Sequence, residues 1–390
     1  MSPYPVIIVP GIGQSRTVLA DTGKRAWPLD IDMDALKKSL IPAAAAMLLT
    51  RHDCGFEKAL RNALGNALDP LRSTDDGNTK HDVRVVTYEN SLAECTEDER
   101  HFISRMVPYA AFSEAVGEDR LYYFAYNPMG NAEETVERLR KFAESVKAKH
   151  SAEKVGLIAI SLGGTILTQY LDKYVGEGDI YRAVGIVPAF DGSRIISGIF
   201  EKNISFENIG GLLELLLGKG DMAALRKVTS KVPEKLLRRY ADAMLDALTE
   251  EVLLRCPMMW GTAPAAKYPA LRDKWIGDKK FAGLRAKTDV SYRIRSDFPA
   301  LVEKCRAAGT DIYSLCGSGL HLVAVDDDAD SDGIVHLESC RMGTPSPIAE
   351  NVRVFPGMDH EGAATQKTLL ALCGALLQSE VPQNIQSFES

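Results

Sequence analysis

A serine can attack an acyl carbon when a base takes its proton, a carboxylate orients that base and amide donors hold the oxyanion that forms. The stretch "GLIAISLGGT" (156–165) sets a serine in a suitable place. Val155 to Ile160 has the length and composition of a buried parallel strand. Gly163 and Gly164 break that pattern, and Ile166, Leu167, Tyr170, Leu171 and Tyr174 then repeat at helical spacing. Ser161 therefore falls on a sharp strand-to-helix turn of the kind that presents a nucleophile, although a serine after a strand is more often a helix cap. Small residues must flank such a turn. Here they are Ala159, where glycine is usual, and Gly163.

In sites of this kind the acid and then the base follow the serine along the chain. His52, His81, His101 and His150 precede Ser161, which leaves His321, His336 and His360. His360 lies just past the strand-like "VRVF", in the glycine-flanked loop "FPGMDHEGAATQ", and is the expected base. Candidates for the acid are Asp191, Asp326, Asp327, Asp328, Asp330 and Asp332. Asp332 is favoured because it follows the resumed strand pattern and leaves room for one helix and one strand before His360. Asp191 and Asp330 are its competitors. The oxyanion donors are expected to be the amides of Leu162, directly after the serine, and of Ile12, in the first-strand loop "VPGIGQS" (9–15). That loop lacks the third glycine of a dinucleotide fingerprint and the lysine of a phosphate-binding P-loop. No cofactor is called for.

"DADSDG" (328–333) also spells the start of a calcium loop. The bidentate glutamate required at the twelfth position is absent, because Ser339 stands there and Glu338 falls one short. An ion at this stretch would be an addition to the serine site.

The elements around these residues alternate. "VIIV" (6–9), "VRVVTY" (83–88), "LYYFAY" (121–126), "VGLIAI" (155–160) and "AVGIV" (183–187) read as strands. Between them come helical patterns, one of them (33–49) broken by Pro42. Strand patterns resume at "DIYSLCG" (311–317) and "NVRVF" (351–355), and a last helix covers 365–378. The expected fold class is α/β: an α/β-hydrolase fold with a mostly parallel central sheet, helices on both faces and an inserted helical cap. The domain expectation is a core over 1–192, a cap over 193–305 and the rest of the core over 306–390. "GGLLELLLGKG" (210–220) reads as a buried cap helix.

Of 390 residues, 45% are hydrophobic and 25% charged, ordinary values for a globular chain. A net charge of −7 speaks against nucleic acid as a partner. The charge is uneven: from Lys219 to Arg306 there are 19 Lys and Arg against 11 Asp and Glu. A basic cap around an apolar slot would favour anionic acyl-bearing substrates or an anionic membrane surface. Seven scattered cysteines without a C-x-x-C pair, and an N-terminus with no basic leader, point to reduced thiols and a cytoplasmic setting.

Taken together, the chain resembles the lecithin:cholesterol acyltransferase-like lipases among the α/β-hydrolases. The resemblance rests on "IIVPGIGQS", "WPLDIDMDALKKSL", "YFAYNPMGNAEETVERLRKF", "GLIAISLGGT", "PMMWGTAPAAKYPALRDKWIG", "SDGIVHLES" and "GMDHEG", in that order. It implies cleavage or transfer of an acyl ester on phospholipid-like substrates, with Ser161, Asp332 and His360 in the triad positions. Two pieces depart from the family. Tyr126-Asn127-Pro128-Met129 stands where Tyr-Asp-Trp-Arg is usual, and Ala159-Ile160-Ser161 where Gly-His-Ser is usual. Two rival readings are a binding protein with a vestigial triad, and an esterase or thioesterase on a soluble acyl substrate.

Overall fold

The computed structural model describes residues 2–379 except 31, 205–233, 324 and 326, together with 382 and 384–389. The 210–220 stretch and Asp326 lie outside the described residues. At the centre is a six-stranded sheet formed by β1 (Val6–Val9), β5 (Leu121–Tyr123), β6 (Val155–Ile160), β7 (Ile180–Ile186), β8 (Asp311–Ser318) and β9 (Val352–Pro356). Its order is β5-β1-β6-β7-β8-β9, and every pairing is parallel. β1 and β6 are buried along their whole length, as strands covered on both faces must be.

Alternate side chains feed two cores. Ile7, Val9, Leu157 and Ala159 join one apolar cluster, while Val6, Ile8, Ile158 and Ile160 join the other. The first face is covered by helices Ala132–His150 and Gly163–Tyr174, the second by Glu97–Met106, Tyr109–Val116 and Lys367–Leu376. Helix Ala132–His150 shows why these segments are helical. Asn131 caps its first turn by accepting the Glu133 amide at 3.1 Å, and Glu133 and Glu134 sit at the positive end of the helix dipole. Val136, Leu139, Ala143 and Val146 form its buried stripe.

Between β7 and β8 the described elements are helical, among them Arg194–Glu201, Glu234–Glu251, Tyr268–Ile276, Ala282–Arg295 and Phe298–Ala307. The last two pack on the core helix Gly163–Tyr174. Glu234–Glu251 instead packs on Phe56–Leu68, through Tyr240 and Leu60.

Two elements depart from the sequence expectation. The "VRVVTY" run supplies only β4 (Val83–Val85), which pairs antiparallel with β2 (Thr17–Leu19) in a separate sheet completed by β3 (Arg25–Trp27). Arg84 between two half-buried valines is the alternation of a strand with one wet face. Helix Met33–Thr50 also runs unbroken through Pro42. Proline removes one rung of the ladder, but Lys38, whose carbonyl loses its partner, is exposed to water. Among the described residues no helix is long and apolar enough to cross a membrane.

Candidate active site

β6 ends at Ile160, and Ser161 turns the chain into the Gly163–Tyr174 helix with φ +53°, a left-handed value that only a tightly held non-glycine residue keeps. The turn is pinned to β7 and to the segment just past that strand. The Ser161 amide donates to the Ile186 carbonyl at 3.1 Å, and the Ala189 amide donates to the Ser161 carbonyl at 2.9 Å. A Cβ at position 163 would stand 2.2 Å from the Val9 carbonyl oxygen, so only glycine lets the helix start this close to β1. Ala159 is fully buried between Val9 and Gly185, and its methyl is accommodated where the usual motif has glycine.

His360 lies beyond β9, and its Nε2 is 2.9 Å from Ser161 Oγ. Its Nδ1 is 2.7 Å from Asp332 Oδ2. The His360 backbone amide donates to the Asp332 carbonyl at 2.9 Å, so the ring and its carboxylate are fixed to each other twice. Asp332 is buried, and its other oxygen accepts the amides of Ile334 at 2.9 Å and Val335 at 2.7 Å. One carboxylate thus orients one imidazole, which meets one hydroxyl.

The competing carboxylates are engaged elsewhere. Asp191 pairs at 3.2 Å with the fully buried Arg295 and accepts the Ala265 amide at 2.9 Å. Burial holds its carboxyl above the ordinary range despite Arg295. Asp330 accepts the Gly319 amide at 2.6 Å, Asp327 pairs with Arg194 at 3.1 Å, and Asp328 is exposed. The carboxylates of "DADSDG" therefore diverge, and among the described residues no three His, Cys, Asp or Glu gather to hold a metal ion. His321 is exposed, whereas His336 is buried.

The first-strand loop lies against the serine: a Cβ on Gly11 would be 3.1 Å from Ser161 Cβ. Four contacts set its shape. The Trp27 indole N–H donates to the Ile12 carbonyl at 2.7 Å, and the Tyr126 hydroxyl donates to the Pro10 carbonyl at 2.8 Å. The Gly11 amide donates to Gln14 Oε1 at 2.5 Å, and the Tyr123 hydroxyl donates to the Gln14 carbonyl. The amides of Ile12 and Leu162 have no acceptor among the described residues. Sequence reasoning overlooked these supports. It also overlooked Gly317, where a Cβ would stand 2.3 Å from the Met358 carbonyl oxygen and 2.7 Å from Asp332 Cβ. A glycine inside the apolar β8 run was the available signal, since it marks a close approach of another backbone.

Six parallel strands with helices on both faces, and a serine at the strand–turn–helix junction, define the chain as an α/β-hydrolase fold. No protein-family model matches the chain, and no curated protein matches it. Among solved structures it is similar to the Tle4–Tli4 complex (11% identity over 97% of this chain and 98% of that one, TM-score 0.46). It is also similar to Bacillus licheniformis lipase BlEst2 in its mature form (11% identity, 75% and 89%, TM-score 0.36). A third is phospholipase PlaB from Legionella pneumophila (14% identity, 66% and 44%, TM-score 0.31).

Proposed function

We propose that the protein is a serine carboxylic-ester hydrolase that cleaves an acyl-lipid ester through an acyl-enzyme on Ser161. The observation that carries this reading is the hydrogen-bonded line from Asp332 through His360 to a serine held at φ +53°. In the reaction His360 Nε2 takes the Ser161 proton as Oγ bonds to the ester carbonyl carbon. The carbonyl electron pair moves onto oxygen, where the Ile12 and Leu162 amides receive it. The intermediate collapses by breaking the bond to the alcohol oxygen, which takes the proton from His360. Water then repeats the sequence on the acyl-enzyme, releasing the carboxylic acid and restoring Ser161; another alcohol in place of water would give acyl transfer. Asp332 keeps the imidazole in the tautomer that accepts from serine and stabilises it once protonated.

An acyl-lipid substrate is supported by the resemblance to lecithin:cholesterol acyltransferase-like lipases. Residues 193–305 are read as the cap, whose basic charge would face an anionic headgroup or membrane surface. Free thiols at all seven cysteines support a cytoplasmic setting.

The test is intact-mass spectrometry after fluorophosphonate treatment, on the wild type and on Ser161→Ala. One adduct on the wild type, lost in the variant, is expected. No adduct would bring forward the binding-protein reading with a vestigial triad. The same preparations, assayed on p-nitrophenyl esters of rising chain length, should turn over long chains fastest; a maximum at acetate or butyrate would move the substrate to soluble esters or thioesters. On phospholipid vesicles, equal and salt-indifferent rates for anionic and zwitterionic lipid would overturn the role of the basic cap.

A further inference from the structure

The loop that carries Asp332 borders a second cavity. A surface cleft of about 230 Å³ opens among Arg194, Asp330, His336, Glu338 and Arg341, and neither Ser161 nor His360 lines it. Its charges are unequally matched, with Asp330 as well as Arg341 lacking an ion pair among the described residues. Asp330 accepts the Gly319 amide, and Glu338 pairs with Arg194 at 3.1 Å. Arg194 is met a second time, by Asp327. Arg341 has no such partner. Its guanidinium makes no ion pair among the described residues, and its Nε is buried without an acceptor. The His336 ring is only 2% exposed, and its Nδ1 is likewise buried and unmatched.

Leaving two buried donors or acceptors unmatched is costly, and a guanidinium can only donate. The group that satisfies its planar fork is an oxyanion with two oxygens side by side. Burial, and then Arg194, lower the His336 pKa to about 4, so the ring is neutral near pH 7 and can offer an N–H in the cleft that Arg341 also lines. The volume lies below the range typical of drug-sized ligands and suits a small group.

We propose that this cleft is a binding site for a small oxyanion, a phosphate or carboxylate group, held by Arg341 and His336. The site is separate from the serine centre and does not depend on the hydrolase reading. It does touch the same loop. Ser331 bridges both Leu320 and His336, and the Leu337 amide donates to the Asp330 carbonyl at 2.7 Å. An anion on His336 and Arg341 would brace the turn that presents Asp332.

The test is thermal unfolding of the full chain titrated with sodium phosphate or sodium acetate, at constant ionic strength set with chloride. The wild type should show a saturable rise in Tm with at least one of the two. R341Q should raise the half-saturating concentration tenfold or more, whereas R306Q, at an exposed Arg–Glu pair, should leave it unchanged. Should R341Q fail to fold, R341K keeps the charge but loses the fork, and should weaken binding at least threefold. Saturation by phosphate alone assigns a phosphate-bearing ligand, and by acetate alone a carboxylate. No saturable rise with either anion, or equal rises in the wild type and the Arg341 variants, would overturn the proposal.

Discussion

Two carboxylates near the β7 and β8 ends of the sheet have opposite surroundings, and their removal should have opposite consequences. Asp332 gives one oxygen to two backbone amides and the other to His360. Asp332→Asn retains the shape but presents an amide that can favour the wrong imidazole tautomer, so kcat on an activated ester should fall by about 10³–10⁴ with little change in Tm. Asp191 faces Arg295, whose side chain is fully buried. Asp191→Asn leaves that guanidinium without its counter-charge and should lower stability by about 3–5 kcal/mol, with kcat of the folded enzyme retained. Steady-state kinetics and a denaturant midpoint on both variants decide the matter; turnover lost in Asp191→Asn and kept in Asp332→Asn would reverse the roles.

At the scale of elements, the loop after β1 is positioned by side chains far away in sequence. Trp27, from the small antiparallel sheet, holds the Ile12 carbonyl, and Tyr126, just past β5, holds the Pro10 carbonyl. Trp27→Phe keeps the ring and loses the N–H. It should cut kcat about tenfold, roughly 1.4 kcal/mol, with KM nearly unchanged, because the Ile12 amide, proposed above as an oxyanion donor, is then less firmly aimed. A rise in KM alone would make Trp27 a substrate wall instead. These supports also mark where sequence reading stops. The buried run Val155–Ile160 and the break at Gly163 are local patterns and can be read directly, whereas the choice of Asp332 over Asp191 and Asp330 turns on contacts far apart in sequence. The pairing of β4 with β2 depends on which face stays wet, and the indole–carbonyl contact joins β3 to the loop after β1. The alternation of β4 covers only three residues, and a single side-chain contact leaves no periodic trace. Helix Met33–Thr50 shows the converse, a strong local breaker overruled because water can replace the missing rung.

For the whole molecule, His336 couples folding to acid. In the folded chain its ring is buried, with Arg194 near it and Asp327 and Asp332 only partly offsetting, so it protonates near pH 4 instead of 6.5. The unfolded chain takes up that proton at the ordinary value. Between those two limits the unfolded state binds more protons, and stability must fall as pH drops. The contribution is fully present above pH 6.5 and lost progressively toward pH 4, amounting to about 3 kcal/mol across the window. His336→Gln keeps a polar side chain and removes the titration. In chloride buffer, the wild-type unfolding free energy should therefore decline from pH 7 to 4.5 more steeply than that of the variant, and the two should run parallel above pH 7. Parallel curves over the whole range would mean that the ring is solvated, or meets a partner, in solution. The cleft beside it would then lose one of its two unmatched groups, so this titration also bears on the oxyanion site by a route that uses neither phosphate nor acetate.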